Sequence, residues 1–176
     1  NFQLNLLLGS GSSIKSVDNF SGITLSVNTL NPDSNGFVNI KSTNPSIDPI
    51  IQPNYFEKLT DLEKHLSGIE LIRNISKTKP LSDMIIKEII PGEKISSKEE
   101  LIDFIKDTSE TIYHPSGTCK LGKINEGVVD HDFKVHGIKN LRICDASILP
   151  NSISGNLGAT CYLLGLILSK KLNEYS

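Results

Sequence analysis

Four histidines are the side chains of this 176-residue sequence best suited to exchange a proton near neutral pH: His65, His114, His131 and His136. No two stand at H-x-H or H-x-x-x-H spacing. The three cysteines, Cys119, Cys144 and Cys161, form no C-x-x-C pair, so the spacing offers no metal site. His65 falls inside a helical pattern between Lys64 and Leu66 and reads as a surface residue. His131 follows Asp130 and His136 precedes Gly137, both in polar turns, and both read as solvated. His114 differs in its neighbours, Tyr113-His114-Pro115-Ser116-Gly117-Thr118-Cys119. Pro115 and Gly117 impose a tight turn after a helix and hold the imidazole on a rigid corner. Such a corner serves either a structural turn or the mount of a general base.

A second constellation lies in the last third. Leu141-Arg142-Ile143-Cys144-Asp145-Ala146-Ser147 reads as a buried strand ending in an acidic and two small residues. Ser154-Gly155-Asn156-Leu157-Gly158-Ala159-Thr160 then leads into a helix. A strand, a small-residue loop and a helix N-terminus suit a phosphate or cofactor edge, because small residues let a ligand approach free N–H groups. The same Ser, Gly and Asn residues also make an ordinary helix cap. Gly9-Ser10-Gly11 imitates a dinucleotide fingerprint, but Ile14 occupies the third glycine position and no helical period follows. Ser10, Ser12 and Ser13 do not form the G-x-S-x-G elbow of hydrolases.

Positioning these residues falls to an α+β arrangement. Strands are expected at Phe2–Leu8, Gly22–Leu30 and Phe37–Lys41, with Asn35-Gly36 as the hairpin turn between the last two. The alternation of apolar residues with Asn and Ser predicts an antiparallel sheet solvated on one face and packed with helices on the other. Residues 42–54, with Pro45, Pro49 and Pro53, read as an extended connection. A capping box, Thr60-Asp61-Leu62-Glu63, opens a helix that ends near Lys77–Lys79, before Pro80. A second box, Ser97-Lys98-Glu99-Glu100, opens another. The last helix should run from Gly158 to Leu172, with Lys170 and Lys171 suiting its negative end. With no repeat, low-complexity tract or linker, residues 1–176 read as one unit.

Composition narrows the function classes. Lys+Arg 18 against Asp+Glu 20 leaves a net charge of −2, so no charge excess drives nucleic-acid or membrane binding. Aromatic residues are 6% and Trp is absent, which disfavours stacking platforms for single strands. An odd cysteine count suits a reducing compartment, with the thiols as small buried hydrophobes. No signal peptide is visible, and the apolar run Ala159–Leu168 is well short of the ~20 residues that span a bilayer. These features fix no cellular location. The apolar run Leu4-Asn5-Leu6-Leu7-Leu8 at the very start suggests a strand belonging to a longer array.

Several spaced motifs, taken together in order, carry a resemblance. The segment Tyr113–Gly122, then Val128-Val129-Asp130, Phe133–Gly137, Leu141–Ser147 and Ser154-Gly155-Asn156 with the closing helix, resembles the C-terminal signature of the glucose-methanol-choline (GMC) oxidoreductases. Gly36–Ser42 with Pro49, Ile51 and Pro53-Asn54-Tyr55 resembles the usual lead-in, so the likeness covers almost the whole chain.

The resemblance implies the GMC C-terminal substrate domain, with a C-terminal segment that would dock on an FAD-binding domain. It implies oxidation of an alcohol (a CH–OH donor) by hydride transfer to the N5 of FAD. His114 would be the general base, and Asn156 the second active-site residue that hydrogen-bonds the substrate oxygen. Asp145 and Ala146 would contact the ribityl-pyrophosphate portion of FAD. The loop through Gly155, Ala159 and Thr160 would pass near its isoalloxazine ring. The family's Rossmann-type FAD domain does not precede Asn1, so the chain is expected to be truncated and inactive alone. FAD would then not be held by this chain alone. Its partner would be an N-terminal FAD-domain chain, or a second copy joined through the exposed sheet edge. A non-catalytic binding or structural remnant and a hydroxynitrile-lyase-like member of the same family are the alternatives. The Lys and Ile bias fits an AT-rich genome, such as those of the large DNA viruses that carry genes of this family.

Overall fold

The computed structural model describes residues 2–9 and 18–174. All of the expected turn over Gly9–Ser13 except Gly9, and with it most of the imitation fingerprint, lies outside the described residues. The fold is α+β, with antiparallel strand pairs and three α-helices. Contacts gather the chain into two compact units, Asn1–Asn35 with Asn54–Glu110, and Gly36–Pro53 with Thr111–Ser176.

In the first unit, β1 (Phe2–Leu8) pairs antiparallel with β2 (Ile23–Thr29), in a register from Phe2↔Thr29 to Leu8↔Ile23. Helix α1 (Leu59–Ser76) packs on β2. Gly68 makes that packing close: a Cβ there would stand 2.6 and 2.7 Å from the two methyls of Val27. A stiff β-branched side chain cannot yield that space, so the helix needs glycine at this position. Leu62 of α1 and Ile105 of α2 (Lys98–Thr108) are the buried apolar side chains of this unit among the described residues.

The expected hairpin between Gly22–Leu30 and Phe37–Lys41 is not formed. β3 (Phe37–Asn39) instead pairs with β4 (Ile50–Gln52), inside the segment expected to be only a connection. The two sheets are separate and two-stranded. Gly36 does not turn a hairpin; it lets the chain lie against β4, where a Cβ would fall 2.2 Å from the Gln52 carbonyl oxygen. Residues 31–35 close on the start of α1 instead.

That closure also replaces the first capping box. The N-cap of α1 is Lys58, with no side-chain cap of its own. The Lys58 N–H donates to Ser34 Oγ at 3.0 Å, and Thr60 Oγ1 donates to Asp33 Oδ2 at 2.7 Å. Asp61, almost fully buried, accepts from the N–H groups of Asp33 and Ser34, both at 2.9 Å, and from Ser34 Oγ at 2.6 Å. Lys64 Nζ adds a contact at 3.1 Å. The second box forms as the sequence predicts: Ser97 Oγ accepts from the Glu100 N–H, and Glu100 Oε2 accepts from the Ser97 N–H.

His65 is not a surface residue. Its Nδ1 lies 2.9 Å from Thr29 Oγ1 and 3.0 Å from the Asp61 carbonyl, and Phe56 meets the ring edge-on. Arg73, further along α1, makes a two-pronged ion pair with Glu88 at 3.0 and 2.8 Å and donates to the Ile95 carbonyl. The three cysteines are unpaired and only half-buried, less enclosed than the small core residues they were expected to be.

Burial is the largest influence on the Asp61 carboxyl and raises its pKa, but the donors from Ser34, Asp33 and Lys64 together bring it down to about 2. A carboxylate depressed from 3.8 to about 2 contributes stability that is full above pH 4 and disappears as the pH falls toward 2. The lowered value corresponds to about 2 kcal/mol. Urea titrations at pH 7 and pH 2.5 are expected to show a loss of that order in the wild type. Asp61→Asn should be destabilised at pH 7 and should lose much less between the two conditions. An unchanged pH slope in Asp61→Asn would count against the role.

Candidate proton-transfer and cofactor-edge site

All the residues singled out for chemistry lie in the second unit. Its core is Val129, Phe133 and Ile148, with Leu164, Ile167 and Leu168 of α3 (Gly158–Glu174) packed against them. Helix α3 runs two residues past the expected Leu172. Lys171 Nζ reaches Asp132 Oδ1 at 2.5 Å and holds that carboxyl below the usual carboxylate range. One of the two lysines assigned to the negative helix end therefore has a specific partner.

Between 117 and 148 the backbone pairs in short pieces. Val128 N–H donates to the Lys120 carbonyl, Gly122 N–H to Val129, His136 N–H to Val128 and Ile143 N–H to Phe133, at 2.8–3.0 Å. Only isolated bridges result, including Lys134↔Arg142. The expected buried strand over Leu141–Ser147 is thus one bridge and a half-buried stretch that turns at Asp145 into a single 3-10 turn, Ala146–Ile148. Two glycines make this possible: a Cβ on Gly127 would stand 2.5 Å from the Gly122 nitrogen and 2.7 Å from the Lys120 oxygen. His136 is part of the same packing, its Nε2 lying 2.9 Å from the Gly122 carbonyl oxygen, so it is not the solvated residue expected. His131 is exposed, as its polar turn suggests.

His114 lies on the segment after α2, between Tyr113 at φ +61° and Gly117 at φ +84°. The helix itself stops earlier, at Thr108. Three residues beyond His114, the N–H groups of Gly117, Cys119 and Leu121 donate to the carbonyls of Ala146, Ser147 and Ile148, at 3.4, 2.9 and 2.8 Å. The corner is therefore fixed by backbone bonds downstream of the imidazole. The ring is half-buried and makes no hydrogen bond among the described residues. No side-chain nitrogen or oxygen there is sealed from water without a partner, so its nitrogens remain reachable by a ligand.

Asn156 is exposed in the loop entering α3, behind half-buried Gly155. No hydrogen bond joins His114 to Asn156 among the described residues. Ala159, exposed, and Thr160, half-buried, lie in the first turn of α3. Cys161 N–H closes that turn on the Leu157 carbonyl at 2.9 Å, so the N–H groups of Gly158, Ala159 and Thr160 lie ahead of the helical ladder. Asp145 is exposed and Ala146 half-buried. Cys144 Sγ donates to the Leu164 carbonyl of α3 at 3.2 Å; burial, and secondarily the Asp145 charge, push its thiol pKa up. A cysteine held this way is a structural contact and not a nucleophile.

These features suit the edge of a large anionic cofactor such as FAD. Nothing stands within 4 Å of a Cβ built on Gly155 or Gly158, so a flat group can approach the backbone where the first-turn N–H groups lie ahead of the helical ladder. A reachable imidazole on a backbone-fixed loop and a helix start open to a large ligand are parts that a cofactor-dependent oxidoreductase needs. The family model described as "GMC oxidoreductase" matches residues 32–165, and the chain belongs to that family.

The chain is 39% identical over 143 residues to "Alcohol dehydrogenase [acceptor]" of Pseudomonas putida, covering 81% of this chain and 26% of the relative. Among solved structures, a crystal structure of formate oxidase superposes with a TM-score of 0.87 at 29% identity, over 96% of this chain and 30% of that one. An FAD-dependent oxidoreductase from Chaetomium thermophilum gives a TM-score of 0.81 at 28% identity, over 89% and 27%. The chain thus spans about a quarter of the length of the curated relatives it matches, as expected of a C-terminal portion.

The sequence alone gives no sign that the Ser147 carbonyl receives the Cys119 N–H, or that Asp132 pairs with Lys171. Both depend on contacts between distant segments. The two types of glycine here should respond differently to substitution. Gly127→Ala meets only backbone atoms and should cost about 1–3 kcal/mol, several degrees in melting temperature. Gly155→Ala enters open space and should melt within a degree or two of the wild type. Equal melting temperatures for the two variants would contradict the close approach at Gly122–Gly127.

Proposed function

We propose that this chain is the substrate-side and cofactor-edge portion of an FAD-dependent alcohol oxidoreductase, in which His114 is the general base. The observation that carries the reading is the half-buried His114 ring, without a protein partner, on a loop whose next residues are fixed by backbone bonds. FAD, when bound, supplies the hydride acceptor. A ring nitrogen of His114 takes the hydroxyl proton of the alcohol, while the carbon gives up its hydrogen with the electron pair and the C–O bond becomes a carbonyl. The Asn156 amide donates a hydrogen bond to the substrate oxygen as negative charge gathers there. Asp145, Ala146, Gly155, Ala159 and Thr160 line the cofactor side.

The described residues provide one edge of such a cofactor, and an edge does not repay the cost of ordering a dinucleotide. Turnover therefore requires a flavin-holding unit, in the same polypeptide or another. Helix α3 has a surface suited to it. Tyr162, Leu163 and Leu166 are 85, 55 and 54% exposed, while Leu164, Ile167 and Leu168 pack on the core. A helix apolar on all sides belongs in an interior. The exposed stripe starts at Ala159, the residue placed at the cofactor edge. No helix among the described residues is long and apolar enough to cross a membrane.

Native mass spectrometry of the protein from its own source, followed by a panel of alcohols, tests the reading. Bound flavin and alcohol-dependent flavin reduction are expected. In that assembly His114→Ala should lower kcat by about 10²–10⁴-fold. Its melting temperature should hold, because the ring makes no hydrogen bond to lose. A flavin-free monomer, or full turnover in His114→Ala, would refute the catalytic role.

A further inference from the structure

Asp145 was assigned to the cofactor by resemblance, yet one of its carboxylate oxygens is already engaged inside the chain. Its Oδ1 accepts from the Ser147 N–H at 2.8 Å and from the Ser147 hydroxyl at 2.5 Å. Asp145 is thereby the N-cap of the turn Ala146–Ile148. The carbonyls of those same three residues receive Gly117, Cys119 and Leu121. Ile148 anchors the far end of the turn in the core at 2% exposure, whereas the near end has Asp145 as its tether. Without that acceptor the turn's own closing bonds are those from Ile148 N–H to Asp145 and from Leu149 N–H to Ala146, both at 3.2 Å.

We propose that Asp145 is a positioning residue for His114. Its side chain sets the 146–148 turn, and the turn fixes the loop that presents the imidazole. The role requires an acceptor at Oδ1 and not a negative charge. Because the carboxylate is exposed, its charge is screened by water and salt, while the geometry of its two short bonds is retained. The inference rests on His114 as the base, but the coupling itself can be read without flavin or substrate.

The test is amide hydrogen exchange and imidazole NMR on the 176-residue chain. In Asp145→Ala the Cys119 and Leu121 amides should exchange about tenfold faster, the size of effect expected from one lost hydrogen bond. The His114 ring resonances should shift, while the Asp33 and Ser34 amides of the first unit stay protected. Asp145→Asn keeps the acceptor and should match the wild type in amide exchange and ring resonances. Should Asp145→Ala fail to fold, Ser147→Ala, which removes only the hydroxyl arm, should give a smaller acceleration at the same amides. Unchanged exchange and ring resonances in Asp145→Ala, or in Ser147→Ala where that variant stands in, would overturn the proposal. An Asp145→Asn variant as disturbed as Asp145→Ala would overturn it too.

In the flavin-loaded assembly, Asp145→Ala should lower kcat more than it raises KM, and Asp145→Asn should retain more of kcat than Asp145→Ala. Loss of flavin in Asp145→Asn with an intact loop would instead assign the charge to the cofactor. If His114→Ala kept full turnover while the exchange pattern held, the base would be wrong and the coupling right.

Discussion

Backbone groups taken out of water must find partners, and the unit that carries His114 meets this requirement with almost no regular sheet. Its only strands among the described residues, β3 and β4, have three residues each. From Gly117 to Ile148 the bonded N–H groups are satisfied singly or in pairs, most by carbonyls on neighbouring turns and three by the carboxylates of Asp130 and Asp145. Each piece is too short to be stable alone, so the pieces hold because Val129, Phe133 and Ile148 bind them to one core. The residues that bear on chemistry depend on that accounting. A loop of this kind owes its shape to its acceptors, whereas a strand would owe it to a ladder.

The same constraint explains which parts could be read from the sequence. Helix α2 was legible because its cap is local: Ser97 and Glu100 complete one another within three residues. Strands β1 and β2 were legible from their alternation, but the partner of β3 was not. Asn35-Gly36 carries a hairpin signal, yet the glycine serves a close approach to Gln52 and Pro53, and Asn35 ends a loop held on α1 by Asp61. Turn chemistry is a property of a few residues, and the choice of strand partner is a property of the whole chain. Thr60-Asp61-Leu62-Glu63 had the letters of a capping box while its side chains were taken by Asp33 and Ser34.

The candidate site divides in the same way. His114 and the small residues entering α3 were legible because Pro, Gly and Asn restrict the chain wherever they occur. The family likeness then attached roles to them. Neither source could show that His136 is spent on the Gly122 carbonyl, or that one carboxylate oxygen of Asp145 is held by Ser147. Both side chains look available for chemistry by type, and both are engaged by contacts invisible at the level of spacing. Residue type narrows what a side chain can do; only its partners decide what it does.

Helix α3 ties these elements together. Its first turn borders the candidate cofactor edge, its Leu164 carbonyl receives the Cys144 thiol, and Lys171 near its end is held by Asp132. The anchored face therefore fixes the helix along most of its length, with Leu164, Ile167 and Leu168 on the same core that seats Ile148. Ile148 in turn receives the Leu121 N–H from the loop bearing His114. His114 and the start of α3 thus share one buried frame although no direct bond joins them. A change that loosens this frame should move both sides of the site together, whereas a change at the exposed stripe of Tyr162, Leu163 and Leu166 leaves the frame intact and alters only what can rest on it.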